Sequence, residues 1–224
     1  MCTKRLFVIH NFGRYATWTC FPFFLQSFLY AVLPFRYLYH PAKKRPMSDN
    51  KTDFTEIDNL LFSKRINKPA IERIANECIT NEATTRHLFL LTRSEDVTIA
   101  WHSLWVCNVM ADKNPQSVKP YRKEWEQQLL GCKNSGIKRM LLNILIEIYD
   151  NDHLSVEILN LCFRDITSAT LPPAVTVGAM KLAFLMSQPY PELMNELNLL
   201  MNELEEHPLT PAIKCKLRKI RKRM

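Results

Sequence analysis

A few residues in this chain have types that could do chemistry. Gly131-Cys132-Lys133-Asn134-Ser135-Gly136-Ile137-Lys138 comes close to a phosphate-cradling loop. Such a loop needs lysine directly after its second glycine, then a hydroxyl, and a strand in front. Here Lys138 is one residue late, Arg139 stands where the hydroxyl belongs, and no strand pattern precedes. The stretch reads as a turn between helices. Asp152, His153 and Ser155 hold the residue types of a nucleophilic triad, but they are too close together to assemble one. They read as a helix cap. His102 lies between Trp101 and Trp105, and it reads as a core histidine with its ring nitrogens satisfied. Trp101, Trp105 and Trp125 could line a base-stacking groove, yet their spacing reads as core. The six histidines are dispersed. The seven cysteines form no CxxC, and Cys78, Cys107 and Cys162 sit inside apolar helical patterns, as reduced buried thiols do. No catalytic, cofactor or metal site is read from these residues.

The elements around them are helices. Residues 97–111 are the most apolar. On a helix, Val97, Ala100, Trp101, Leu104, Trp105 and Ala111 share one side, and Ile99, Val106 and Met110 lie opposite. Thr98, His102, Ser103 and Asn108 are the scattered polar positions left for water. A helix apolar nearly all round is packed on both sides. Ser94-Glu95-Asp96 caps it, Asn67-Lys68-Pro69 starts one helix before it and Asn81 caps another, and Asp53 with Glu56 has the spacing of a capping box. After Pro115, Val118, Tyr121, Trp125 and Leu129 form the next stripe. Ile137, Leu141, Ile144, Leu145 and Ile148 follow, with Arg139, Asn143 and Glu147 as a polar ridge on the other side. Val156, Leu159, Phe163 and Ile166 come next. Residues 177–186 are again apolar nearly all round. Pro191 opens a helix bearing Leu193, Leu197, Leu200 and Leu204. Only four glycines occur, which argues against folds built on positive-φ turns.

Charge is unevenly placed. Of the 30 Lys and Arg residues, seven lie in residues 1–46 and seven in 214–224, and neither segment holds an acid. The 16 bases and 22 acids between them give a body near −6, so the net charge of +8 describes the ends. Residues 15–35 form an uncharged aromatic stretch between Arg14 and Arg36, long enough to span a bilayer. The adopted reading is that residues 1–46 are a dispensable non-globular segment and that the folded protein begins near Met47. A membrane anchor through 15–35 is the alternative to a cytoplasmic location. Residues 47–213 are then one helical domain, and 214–224 a basic tail.

The buried helices begin near Val97, Ile137, Val177 and Ile213, a spacing close to 40 residues. Two helices per such unit is the arithmetic of HEAT and armadillo arrays, in which neighbours stack because no pair buries its own apolar face. The predicted fold is an all-α superhelix of stacked helical hairpins, with a plain bundle as the alternative. Ala100-Trp101-x-x-x-Trp105, Pro115, Val118, Pro120-Tyr121 and the Ile137-Lys138-Arg139 helix start resemble a group of short HEAT-like proteins over about residues 54–205. Some members of that group carry the label adenylosuccinate lyase. That label implies a mobile loop close to S-S-x-M-P-x-K-x-N and a much longer chain, and neither is here.

The expected function is therefore a non-catalytic module that binds a protein or peptide on one face. The candidate surface residues are Arg139, Asn143 and Glu147 of the ridge, with Lys214, Arg218 and Arg221 of the tail. Nucleic-acid binding is the second reading, because helical-repeat alkylation-repair proteins use a concave basic face; the basic tail speaks for it here and the acidic body against it, and a lyase is the third.

Overall fold

The computed structural model describes residues 54–150 and 154–224, and the chain divides between Ser48 and Asp49. Residues 1–46, including the aromatic stretch 15–35, and the Asp152–His153 pair lie outside the described residues. The described residues hold eleven α-helices and no strand. They are α1 (Thr55–Leu61), α2 (Lys68–Thr80), α3 (Glu82–Leu91), α4 (Val97–Lys113), α5 (Pro115–Val118), α6 (Arg122–Gly131), α7 (Ser135–Glu147), α8 (Val156–Thr167), α9 (Pro173–Ser187), α10 (Pro191–Glu205) and α11 (Pro211–Arg221).

The caps follow from side-chain chemistry. Asn67, Asn81, Asp96 and Asn134 each accept a backbone N–H from the first turn of the helix they open. Helices α9, α10 and α11 instead open on proline at the first position, where the missing N–H costs nothing. Helix α1 has Phe54 at its N-cap and no side-chain cap. Glu56, expected to close a capping box with Asp53, pairs with Arg73 at 2.8 Å; Asp53 lies outside the described residues.

The stripe from Val118 to Leu129, expected as one helix, is broken. α5 ends at Val118, a 3₁₀ turn follows at Lys119–Tyr121, and α6 begins at Arg122. Pro120 has no N–H to continue the helical ladder. The stripe residues still reach the interior: Val118, Trp125 and Leu129 are buried.

Two layers result. In one, α2, α4, α7, α9 and α11 pack side by side in that order. In the other, α3, α6, α8 and α10 lie against them. This is an all-α solenoid of stacked helical hairpins. The helices α4, α7, α9 and α11 start at residues 97, 135, 173 and 211, a constant step of 38. The expected step near 40 counted from the first apolar residue, which follows the true start by zero to four residues.

The step aligns the core. Val106, Ile144, Leu182 and Ile220 are one register position, all buried. Ser103, Leu141, Ala179 and Leu217 are another, all at 0–1 % exposure. Ser103 was expected to face water; it is buried because its register position is the centre of the helix contact. His102 is also buried, and its Nδ1–H donates to the Leu61 carbonyl at 2.8 Å, as a core histidine should. Val97, expected on the apolar side, is 54 % exposed in the first turn of α4.

Candidate functional surface

Among the described residues, the places the sequence singled out are engaged in packing, pairing and capping contacts. Residues 131–138 span the end of α6, a short turn and the first turn of α7. Lys138 points inward: its Nζ donates to both oxygens of Asp165 on α8, at 2.9 and 3.2 Å, and both side chains are buried. Ser155 caps α8. His87 pairs with Asp58 at 2.6 Å and stacks on Phe54. Among the described residues no group of His, Cys, Asp or Glu could hold a metal ion. A shallow cavity of about 560 Å³ at the α10–α11 turn is lined by Glu205, His207, Pro208, Leu209, Lys214 and Arg218, with both charge signs present.

What remains is a surface. On α7, Arg139, Asn143 and Glu147 are exposed while every residue from Ile137 to Ile148 between them is buried. Adding or subtracting 38 finds their equivalents. On α4 these are Trp101, Trp105 and Val109; on α9, Val177, Lys181 and Leu185; on α11 and just past it, Cys215, Lys219 and Arg223. Every one of these is exposed or half-exposed. The spacing of four residues keeps each trio on one helix face.

Cross-helix contacts place the ridges side by side. Trp101 leans toward Gly136 on α7, with its ring atoms 3.8–3.9 Å from where a Cβ there would sit. Asn108 bridges the same seam: its Nδ2 donates to the Leu104 carbonyl at 2.9 Å and to the Met140 carbonyl at 3.2 Å. Lys181 on α9 reaches Glu147 on α7 at 3.4 Å. Burial, and then the like charges of Lys181, Lys219 and Arg223, hold the Lys216 ammonium below the usual lysine range. The four cations therefore share one face.

The six expected surface residues fall on two faces. Arg139, Asn143 and Glu147 form the ridge. Arg218 occupies a register position that an earlier helix turns toward the next helix of the stack, whereas Lys214 follows Lys138, which turns to Asp165 on α8. Leu142, for example, meets Gly178 across the α7–α9 seam, and its equivalents are Leu104, Met180 and Arg218. Arg221 is tied to Glu205 at 2.7 Å and to Asn202 at 2.6 Å, both on α10. The apolar edge of α11, Ile213, Leu217 and Ile220, is buried and packs on α9.

Lys181, Lys219 and Arg223 were not expected as ridge residues, and the 38-residue register was the signal that could have found them; Lys216 follows the buried His102, Met140 and Gly178 in the register and flanks the ridge. The tryptophans, read as core, divide. Trp125 is fully buried. Trp101 and Trp105 pack against the core and against each other, with ring centroids 5.3 Å apart, yet stay partly open.

A family model for the HEAT repeat domain matches residues 59–224. The chain belongs to the HEAT repeat domain family. No curated protein and no solved structure matches it. The HEAT match runs through α11, whose buried edge continues the register of α4, α7 and α9. Among the described residues no helix is long and apolar enough to cross a membrane.

Proposed function

We propose that this HEAT repeat chain is a non-catalytic interaction module that holds an extended protein segment across the ridges of α4, α7, α9 and α11. One observation carries the reading. Three register positions stay at the surface on four successive helices, and their residue types vary freely from helix to helix. Most core positions in the same helices remain apolar. A fixed scaffold with a variable row of side chains gives a segment lying across it a different chemical neighbour at each step.

The basic face of α11 favours nucleic acid as a second reading. Glu147 and Asp112 on the ridge side, and the exposed Glu192, Glu203 and Glu205 of α10 with Glu206 just after it, oppose it, because a phosphate backbone needs a continuous cationic track. The lyase reading has no support in the described residues. His87 and His102 are engaged in separate local contacts, and His207 lies exposed beyond α10.

The test compares two variants of the full chain as bait. A ridge variant carries Arg139→Glu, Asn143→Arg and Lys181→Glu. A control carries Asn195→Arg and Glu203→Lys on the other layer. The proposal expects partners retained by the wild type and the control to be lost from the ridge variant. Equal retention by all three would refute it.

A further inference from the structure

The ridge face is chemically graded. At α4 it offers the indoles of Trp101 and Trp105 with Val109. At α7 it is mixed, with Arg139 and Glu147. At α9 and α11 it is cationic: Lys181, Lys216, Lys219 and Arg223. Of these four, only Lys181 has an acidic partner among the described residues, and that pair is weak. Glu147 and Lys181 are 3.4 Å apart with side chains 45 % and 43 % exposed, where an ion pair contributes little and exchanges readily. Lys219 and Arg223 are exposed, and Lys216 is half-buried beside them. Burial is the first cause that lowers the Lys216 ammonium, and the charges of Lys181, Lys219 and Arg223 add to it, so an anion placed among them relieves repulsion as well as gaining attraction.

Resting on the reading above, we propose that the bound segment is an acidic peptide, its carboxylates set against Lys181, Lys216, Lys219 and Arg223 and its apolar or aromatic side chains against Trp101 and Trp105. Charge complementarity selects this occupant. Apart from Arg139 on α7, the ridge cations lie on two of the four helices, which suits a short block of Glu or Asp and not a uniformly charged polymer. The half-open indoles supply large, rigid apolar contact at the other end, as aromatic anchors do in interfaces. Stacked helices lie about 8–10 Å apart. Three steps from α4 to α11 thus span roughly 27 Å, which an extended peptide covers in about eight residues at about 3.3 Å each. The carboxylates approach as monodentate partners of lysine and can displace Glu147 from Lys181 without breaking any buried contact.

The experiment measures anisotropy of fluorescein-labelled peptides of about ten residues titrated with the full chain. One peptide has a Leu/Phe half and a Glu half, made in both orders. A second replaces every Glu with Lys. The third probe is a labelled oligothymidylate. The proposal expects the acidic peptide to bind in one order and to weaken roughly tenfold between about 50 and 300 mM salt. Lys181→Glu/Lys219→Glu should weaken it by roughly tenfold or more, with unchanged melting, since both side chains face solvent. Lys214→Glu/Arg218→Glu should leave it bound. Equal binding of the Lys peptide would overturn the acidic assignment and leave the ridge reading standing. Loss of binding in Lys214→Glu/Arg218→Glu alone would place the peptide on the wrong face and overturn both. Tighter binding of the oligothymidylate would also overturn both. An acidic peptide that does not bind at millimolar protein would overturn this inference, while the bait comparison separately decides the ridge.

Discussion

Leu142 and Gly178 meet across the α7–α9 seam so closely that a Cβ on Gly178 would lie 3.2 Å from Leu142 Cδ1 and 3.3 Å from its Cβ. Gly178 follows His102 and Met140 in the register, so a glycine stands where two earlier helices carry large side chains. Gly178→Ala sets a gain of up to about 1 kcal/mol in helix propensity against this contact, and the two nearly cancel. Gly178→Val cannot be accommodated and should cost about 1–3 kcal/mol. In a Leu142→Ala background the cost of Gly178→Val should shrink. Urea denaturation of the four chains checks this; an equal cost in both backgrounds would contradict the seam.

Lys138 and Asp165 form the one buried ion pair linking α7 to α8 among the described residues. Removing one partner leaves a buried charge alone. Lys138→Met or Asp165→Leu should each cost about 3–5 kcal/mol. The double substitution should recover most of that, because it removes the desolvation of both charges. A double-mutant cycle reads the coupling, and additive single costs would show that the pair does not act as a unit.

Three thiols make stability depend on alkaline pH. Burial, with a smaller contribution from Glu77, pushes Cys78 up to about 12, and burial drives Cys107 and Cys162 higher still. Their ordinary value is 9.0. Above pH 9 the unfolded chain releases these protons and the folded chain keeps them. The unfolded state then binds fewer protons, so stability falls as pH rises, on the order of 1 kcal/mol per thiol per pH unit. Below that value the three thiols add no pH dependence. Denaturation curves between pH 8 and 10.5 should show the fall, and Cys→Ala at position 107 should reduce its slope. A flat profile would contradict burial. In the folded chain, alkylation should label the exposed Cys215 and spare all three.

Arg218 and Arg221 stand where preceding helices carry small or apolar residues (Leu104, Leu142 and Met180; Cys107, Leu145 and Ala183), and Lys214 follows Ala100, Lys138 and Thr176. A repeat stack stays soluble only when its outer face is polar. Lys214→Thr, Arg218→Met and Arg221→Ala copy residues Thr176, Met180 and Ala183 of α9 onto α11. The triple variant should associate end to end as concentration rises in sedimentation velocity. A sedimentation coefficient indistinguishable from wild type would deny these residues their capping role.

Much of the fold was legible because local chemistry and burial agreed. Asn67, Asn81 and Asp96 announce their helices, and an apolar run broken by turns every forty or so residues gives the repeat. The ridge on α7 was legible because Arg139, Asn143 and Glu147 interrupt an otherwise apolar pattern. On α9 the same positions were hidden, since Val177 and Leu185 are apolar yet half-exposed and Lys181 is isolated among apolar neighbours. On α11 the opposite problem arose: cations occur on every side but one, so composition cannot separate the ridge face from the capping face. Only the register separates them. Ser103 misled for a related reason, because a small polar residue at a helix contact fits by size and not by polarity.

The central claim is that the ridges of α7, α9 and α11 are the face that holds a partner segment. Photo-cross-linking tests it most directly. A photoreactive side chain is placed in the full chain at position 143, 181 or 219 on the ridge, or at 195 or 203 on the other layer. The account predicts that the three ridge positions cross-link to one partner, at successive points along a single segment of it, and that positions 195 and 203 do not. Cross-links to that partner from 195 and 203, with none from the ridge, would contradict it.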